Sequence, residues 1–295
     1  MADELWTVRR ILNWTTGYLE RKGDEHPRLS AEWLLGNACG LSRVEIYMNF
    51  DKPLSPAELD IMRDGVRRRG AGEPLQYVTG EMPFRHIVLR CEEGVLIPRP
   101  ETEILVDAAL EALDACGSDA PLALEIGTGT GCIALSLVSE HEGTRVIATD
   151  LSPTAVKLAT RNRDALNLAG AVDVVECDLA SAIPAVLMGR FNLLVSNPPY
   201  IPTAVLAHEV PAEVKDHEPG LALDGGADGL DVFRRILALA PQVLAPAGTL
   251  CVELYEGNVH AAAELVRAQP GWECVEVRED LTHRLRVLVA KRESE

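Results

Sequence analysis

The chain has 295 residues, 47% of them hydrophobic, 25% charged and 4% aromatic, which is enough apolar material for a real core and excludes a disordered composition. Its length exceeds one typical domain of roughly 100 to 200 residues, so one large domain with a smaller one is expected. The formal charge of −17 is uneven: residues 1–80 carry 11 Lys+Arg and 12 Asp+Glu, whereas residues 81–295 carry 17 and 33, so the acidity belongs to the second part. Such a surface disfavours the nucleic-acid backbone, whose binding relies on Lys and Arg displacing counterions, and suits a basic protein partner. Apolar stretches such as Leu237 to Leu244 are broken by Pro or Gln well before the roughly 18 residues of a membrane span. The acidic start Met1-Ala2-Asp3-Glu4 lacks the features of a secretory signal, so a cytoplasmic location is expected. Seven cysteines without a C-x-x-C pair argue against a disulfide framework or a metal site, and Cys132, Cys177 and Cys251 read as small core residues.

Residues 1–80 read as short helices. Leu5, Val8, Leu12 and Leu19, then Ala31, Leu34, Leu35 and Ala38, form two amphipathic stretches, with Trp6, Trp14 and Trp33 expected to pack between them. Ser42-Arg43-Val44-Glu45 and Ser55-Pro56-Ala57-Glu58 match the capping box, and Leu59, Met62 and Val66 then share a helix face. Arg67-Arg68-Arg69 with Gly-Ala-Gly-Glu-Pro ends the bundle; the run reads as a solvated helix end, with contact to RNA or an acidic partner as the alternative. Residues 81–99 read as a linker hairpin, its strands placed between Phe84 and Ile97 and its turn at Glu92-Glu93-Gly94.

From residue 100 to 295, runs rich in Val, Leu and Ile alternate with helical segments: Leu122–Ile126, Arg145–Thr149, Val172–Glu176, Phe191–Ser196, Thr249–Leu254 and Leu285–Ala290. The pattern predicts an α/β domain with a mainly parallel, doubly wound sheet, whose ligands bind where the strands end. After the first of these strands comes Gly127-Thr128-Gly129-Thr130-Gly131, whose glycines let the backbone approach a ligand closely; no Gly-Lys-Ser/Thr follows, which excludes a P-loop. Asp150 ends the next strand about twenty residues on, where a carboxylate can accept both hydroxyls of a ribose. Asp178 follows the third strand and is placed to accept from an adenine amino group, with Leu179 packed on the ring; a turn or helix cap is the plainer reading of Asp178.

The most specific element is Asn197-Pro198-Pro199-Tyr200 after the fourth strand. Two successive prolines fix the backbone in extended form and remove two N–H donors, so the Asn197 side-chain oxygen and the Pro198 carbonyl can act together as acceptors for one NH₂ group. An amide or aromatic amine is a poor nucleophile, and gripping both hydrogens while stacking its plane on Tyr200 would orient the nitrogen for attack on a sulfonium methyl. The glycine loop, Asp150 and this tetrapeptide together predict an S-adenosylmethionine-dependent methyltransferase with Asn197, Pro198 and Tyr200 as catalytic residues. Pro199 joins the substrate-binding segment, and Asn197 also borders the cofactor. Chemistry alone leaves a nucleic-acid adenine methyltransferase open, although the acidic catalytic region and the lack of a basic recognition domain weigh against it. A non-catalytic module on the same fold is a further alternative. No histidine is assigned a catalytic role, His86 and His217 included.

The glycine loop, the NPPY tetrapeptide, Ile97-Pro98-Arg99-Pro100-Glu101-Thr102-Glu103 and Gly72-Glu73-Pro74-Leu75-Gln76-Tyr77 together resemble the HemK/PrmC family, the glutamine methyltransferases of peptide chain release factors. Glu209-Val210, Glu218-Pro219, Ala222-Leu223, Gly225-Gly226 and Asp228-Gly229-Leu230 also occur in that family's order. The resemblance implies a class I methyltransferase domain that holds the cofactor and a helical domain over 1–80 that holds a class 1 release factor. It implies as target the side-chain nitrogen of the glutamine in a Gly-Gly-Gln motif, presented to Asn197 and Pro198. The chain departs from the family at Glu253-Leu254-Tyr255, at Asn258 and at Leu285 before Arg286-Val287, changes expected to affect local packing of the last strands and not the cleft motifs.

Overall fold

The computed structural model describes residues 5–294, which divide into two units, Met1–Glu81 and Met82–Glu295. The first holds helices α1 (Val8–Arg21), α2 (Pro27–Cys39), α3 (Arg43–Met48), α4 (Pro56–Arg69) and α5 (Leu75–Thr79). Their core gathers Val8, Leu12, Leu19, Leu34, Leu35, Ile46, Met62 and Val66. Both capping boxes form: Ser42 and Ser55 accept from the backbone N–H of Glu45 and Glu58, whose carboxylates accept the serine N–H at 2.8 and 2.6 Å. Pro56 occupies the first helical position, where no N–H is needed.

Two expectations for this unit need correction. Leu5 is exposed rather than buried, because the first helix starts only at Val8. Trp14 is 47% exposed; it stacks on Tyr18 one turn along the helix surface, at 5.4 Å between centroids, and meets Trp6 edge-on. The arginine run is largely structural. Arg69 forms a buried pair with Asp24 at 2.7 Å, Arg68 is held by Glu73 and the Val78 and Tyr77 carbonyls, and exposed Arg67 pairs with Asp64.

A two-stranded hairpin, β1 (Glu81–Phe84) and β2 (Ile87–Arg90), turns at Arg85 and His86 rather than at residues 92–94. Arg85 takes a left-handed φ of 49° there, and its guanidinium is tied to Glu140 and Asp107, which holds the tight turn. The expected second strand, Val95-Leu96-Ile97, is irregular: the Ile97 N–H goes to Glu218, and Val95 packs on Ala155 and Leu158.

The larger unit continues with α6 (Thr102–Ala115), β3 (Leu122–Ile126), α7 (Cys132–Glu140), β4 (Arg145–Asp150), α8 (Pro153–Ala165), β5 (Val172–Glu176), β6 (Phe191–Ser196), α9 (Thr203–His208), α10 (Ala212–His217), α11 (Asp231–Val243), β7 (Leu244–Glu253), α12 (Val259–Arg267), β8 (Trp272–Glu279) and β9 (Leu285–Arg292). The seven main strands run in the order β5-β4-β3-β6-β7-β9-β8, parallel except for β9, which is antiparallel to both neighbours. The doubly wound expectation is therefore borne out, with β8 added. Side chains alternate between the two faces: Leu124 and Ile126 pack with α11 and α12, while Ala123 packs with α6 and α7. After β5 the chain crosses back to lay β6 on the other side of β3, and the carboxyl ends of these two central strands leave the crevice where such sheets bind ligands.

No helix among the described residues is long and apolar enough to cross a membrane. None of the seven cysteines forms a disulfide; Cys132 and Cys251 are buried as expected, whereas Cys177 is half-buried and borders the crevice.

Candidate active site

The crevice is a cavity of about 230 Å³, lined by the loop after β3, the ends of β4 and β5, the segment after β6, and residues 94–99. Gly127, Gly129 and Gly131 all adopt left-handed φ angles, of 75, 57 and 88°. At Gly131, which precedes α7, the φ of 88° is what calls for glycine, and an added side chain would also meet the Leu135 side chain of that helix at 2.9 Å. The loop is pinned from beneath. Gly127 and Thr128 donate to the Thr149 carbonyl, and the Ser196 hydroxyl donates to the Ile126 carbonyl at 2.7 Å.

Behind the loop, Glu125 is fully buried. Its Oε2 accepts from the Thr128 hydroxyl and the Ala134 N–H, its Oε1 has no partner, and burial, aided by the charge of Asp150, pushes its carboxyl up to about 8. Asp150 lines the cavity with both oxygens already oriented, Oδ2 accepting from the Gly129 N–H at 2.9 Å and Oδ1 from Ser152 at 2.8 Å. Burial raises its pKa, and these backbone donors only partly oppose the shift. One further lone pair on each oxygen is left for a ligand.

Asp178 and Leu179 line the same cavity. Leu179 sits at φ 51°, a left-handed conformation that costs a bulky residue roughly 1–2 kcal/mol. Its side chain packs on the core beneath α11, which offsets that cost. Asp178 does more than turn the chain: its Oδ2 holds the Arg235 guanidinium from α11 at 2.7 Å, and Arg235 and Val232 are themselves part of the lining.

The NPPY segment is divided by the structure. Asn197 and Pro199 line the cavity; Pro198, between them in the chain, is buried and not itself in the lining, and Tyr200, half-buried, lies outside the lining with its hydroxyl donating to Glu253 Oε1 at 3.0 Å. The expected stacking surface of Tyr200 is thus not part of the cavity wall. Asn197 Nδ2 donates to the Thr102 hydroxyl at 3.1 Å, which leaves its side-chain oxygen as the free end of the amide. No histidine is among the lining residues.

Four further residues escaped the sequence reading. Arg99 is ion-paired with Glu218, a buried carboxylate that also accepts the Ile97 N–H at 3.2 Å, so residues 97–99 and the Glu218-Pro219 segment are clasped together at the cavity wall. Thr102 and Glu253 carry the contacts of Asn197 and Tyr200. Arg99, Thr102 and Glu218 lie in motifs already singled out for the family resemblance, which was the one available signal. The departure at Asn258 does reach the cleft motifs, contrary to expectation: its buried Nδ2 donates to the Tyr200 carbonyl at 3.2 Å and to the carbonyls of Asp228 and Gly229, tying α12 to the residues after β6.

The residues fit an adenosyl sulfonium ligand. Asp150 presents paired acceptors for ribose hydroxyls, Leu179, Val232 and Asp178 offer an apolar wall with one acceptor for an adenine, and the glycine loop leaves backbone accessible for the amino-acid end.

Comparison with known proteins agrees with this chemistry. The PrmC N-terminal domain family matches residues 10–80 and the methyltransferase small domain family matches residues 102–214. The chain is 46% identical to the release factor glutamine methyltransferase of Geobacter sulfurreducens over 255 residues, 86% of either chain. It is 40% identical to that of Moorella thermoacetica, over 98% of this chain and 100% of the relative. Among solved structures, the hMettl16 catalytic domain in complex with a MAT2A 3′UTR hairpin aligns with a TM-score of 0.55 at 17% identity, covering 82% of each chain, a likeness of fold.

Proposed function

The chain belongs to the family of release factor glutamine methyltransferases, and from that premise we propose that it transfers the methyl group of S-adenosylmethionine to the side-chain nitrogen, N5, of the glutamine in the Gly-Gly-Gln motif of class 1 peptide chain release factors. The observation that carries this reading is the Asn197 amide, whose nitrogen is committed to Thr102 so that its oxygen is left to accept at the cavity. S-adenosylmethionine, when bound, supplies the electrophilic methyl. Asp150 holds the ribose, Asp178 and Leu179 hold the adenine, and Gly127, Thr128, Gly129, Thr130 and Gly131 border the amino-acid end.

The chain's own task is orientation. A glutamine amide nitrogen shares its lone pair with the carbonyl, so it attacks only when held in line and its plane is fixed. Asn197 Oδ1 and the Pro198 carbonyl accept the two hydrogens of the target NH₂, and Pro199, which has no N–H, places no competing donor beside them. As the nitrogen attacks, positive charge develops on it and its hydrogens become stronger donors, so both acceptors bind the transition state more tightly than the ground state. Tyr200, held by Glu253 and by Asn258, stiffens the segment that carries them. The Arg99–Glu218 pair closes the wall and limits water. No residue is needed as a base before attack, because the alkylated nitrogen loses its proton readily.

Residues 1–80, near neutral in charge and without cofactor-binding features, hold the release factor, and residues 100–295 carry the catalysis. The enzyme works in the cytoplasm, where release factors act. Incubation with a release factor and S-adenosylmethionine, followed by mass spectrometry of the Gly-Gly-Gln peptide, tests the reading: one added methyl on the glutamine supports it, and an unmodified peptide counts against it.

A further inference from the structure

We propose that Arg235 is a positioning residue for the adenine of the cofactor: it holds the Asp178 carboxylate with one oxygen kept for the 6-amino group, and so sets the preference for adenine over a 6-oxo purine. This rests on the reading that Asp178 and Leu179 hold that ring. Asp150 and Asp178 both line the cavity, but they are fixed by different means. Asp150 is held by the chain around it, through the N–H groups of Gly129 and Ser152 at 2.9 and 2.8 Å. Asp178 has no such support. The N–H of Ser181 goes to the Asp178 carbonyl at 3.0 Å rather than to its side chain. Among the described residues the one partner of that side chain is Arg235, whose Nη2 donates to Oδ2 at 2.7 Å. With 48% of its side chain exposed, Asp178 would otherwise be free to turn between rotamers.

The helix that carries Arg235 is a firm mount. Phe233, Ile236, Leu237 and Ala240 of α11 are buried in the core beneath it, while Val232 and Arg235, three residues apart on one face, reach the cavity lining. Arg235 is also left free of its own helix. Asp231, one turn earlier, pairs with Arg234, which takes Asp228 as well, so neither acid competes for the Arg235 guanidinium. With Oδ2 taken, Oδ1 is the oxygen that remains for a ligand. A carboxylate can only accept. A 6-amino group donates to it, whereas a 6-oxo group meets it acceptor against acceptor. A held carboxylate cannot turn away from the wrong base, and a released one can. Arg235 thus acts on selectivity as well as on affinity, and because the pair is half exposed its effect on affinity is only several-fold.

Calorimetric titration of the full chain with S-adenosylhomocysteine and with its 6-oxo counterpart, S-inosylhomocysteine, tests this. Arg235→Ala is expected to weaken the adenine ligand by roughly three- to fivefold and the 6-oxo ligand by less, so that the ratio of the two affinities falls, with the melting temperature near wild type. Arg235→Lys, which keeps the charge, should restore part of that ratio. Asp178→Ala should lose at least as much as Arg235→Ala, and the double variant should be no worse than Asp178→Ala alone, since the arginine acts through the aspartate. At about 1 M salt the gap between wild type and Arg235→Ala should narrow, because the pair is open to screening. If Arg235→Ala keeps both the wild-type affinity and the wild-type ratio while Asp178→Ala loses them, Asp178 holds the adenine unaided and the proposal is overturned. Additive losses in the double variant overturn it too, since Arg235 would then act on the ligand without Asp178. Wild-type binding of both ligands by Asp178→Ala instead removes the adenine reading itself, and the role of Arg235 falls with it.

Discussion

Replacing Asp150 by alanine isolates the cofactor half of the site. In the folded protein each Asp150 oxygen already accepts one backbone N–H, from Gly129 and from Ser152, which leaves two lone pairs for the two ribose hydroxyls. Hydrogen bonds to a charged group are worth roughly 1.5–3 kcal/mol each, so the gross loss is about 3–6 kcal/mol. Water regained by the freed hydroxyls returns part of it. A net loss near 3 kcal/mol corresponds to affinity weakened by roughly a hundredfold. Calorimetric titration with S-adenosylmethionine measures this, with thermal melting as the check on folding.

Acidification should mimic the variant in part. Burial holds the Asp150 carboxyl above its usual range, so the acceptor is lost by protonation at a higher pH than for an ordinary aspartate, and affinity falls as pH is lowered through that raised value. Asp150→Ala should lack this part of the profile. Affinity within about twofold of wild type in a normally folded Asp150→Ala would refute the ribose assignment.

Asn197→Ala should lower kcat by roughly a hundredfold or more while cofactor affinity, measured by calorimetry, changes by less than about threefold, because the lost acceptor acts mainly in the transition state. Glu125→Gln should stabilise the protein at alkaline pH: the folded state keeps the Glu125 proton up to about 8 whereas the unfolded chain releases it near 4.5, so this contribution is full below 4.5 and is lost as pH rises through 8. Melting curves should show the gap between variant and wild type widening over that window, and a gap independent of pH would contradict the burial argument. A fragment beginning at Met82 retains the sheet, its two cores and the cavity, so it should bind cofactor but methylate intact release factor poorly. Full activity of that fragment would overturn the division of labour between the units.

What could be read from the sequence was what depends on local backbone. Capping boxes declare themselves within four residues, and a glycine loop followed at a fixed distance by an acid, or two prolines after a strand, constrain the chain where they stand. The parallel strands were legible because burial on both faces makes them nearly continuous apolar runs. Strand β8 was not: Trp272 to Glu279 mixes four charged residues with its apolar ones and lies at the sheet edge, where only one side is paired. The hairpin turn was misplaced because Glu92-Glu93-Gly94 has the composition of a turn, whereas the real turn at Arg85 is stabilised by Glu140, 55 residues away. Distance in sequence hid the rest. Arg99 and Glu218 stand 119 residues apart, Tyr200 and Glu253 stand 53 apart, and Asp178 and Arg235 stand 57 apart; nothing local marks any of these pairs.

Adenine offers the same NH₂ as glutamine, so the identity of the substrate is the claim most in need of a direct measurement. A flexible Gly-Gly-Gln loop lets an extended backbone carry the amide into a narrow cavity, whereas a base brings a bicyclic ring and phosphates past a strongly acidic chain. Methyl-labelled cofactor should be supplied with, in separate reactions, intact release factor, its Gln→Glu variant, double-stranded DNA and single-stranded RNA. Label should enter the first alone, on the glutamine of the Gly-Gly-Gln peptide. Comparable incorporation into either nucleic acid, or undiminished labelling of the Gln→Glu protein, would contradict the glutamine assignment.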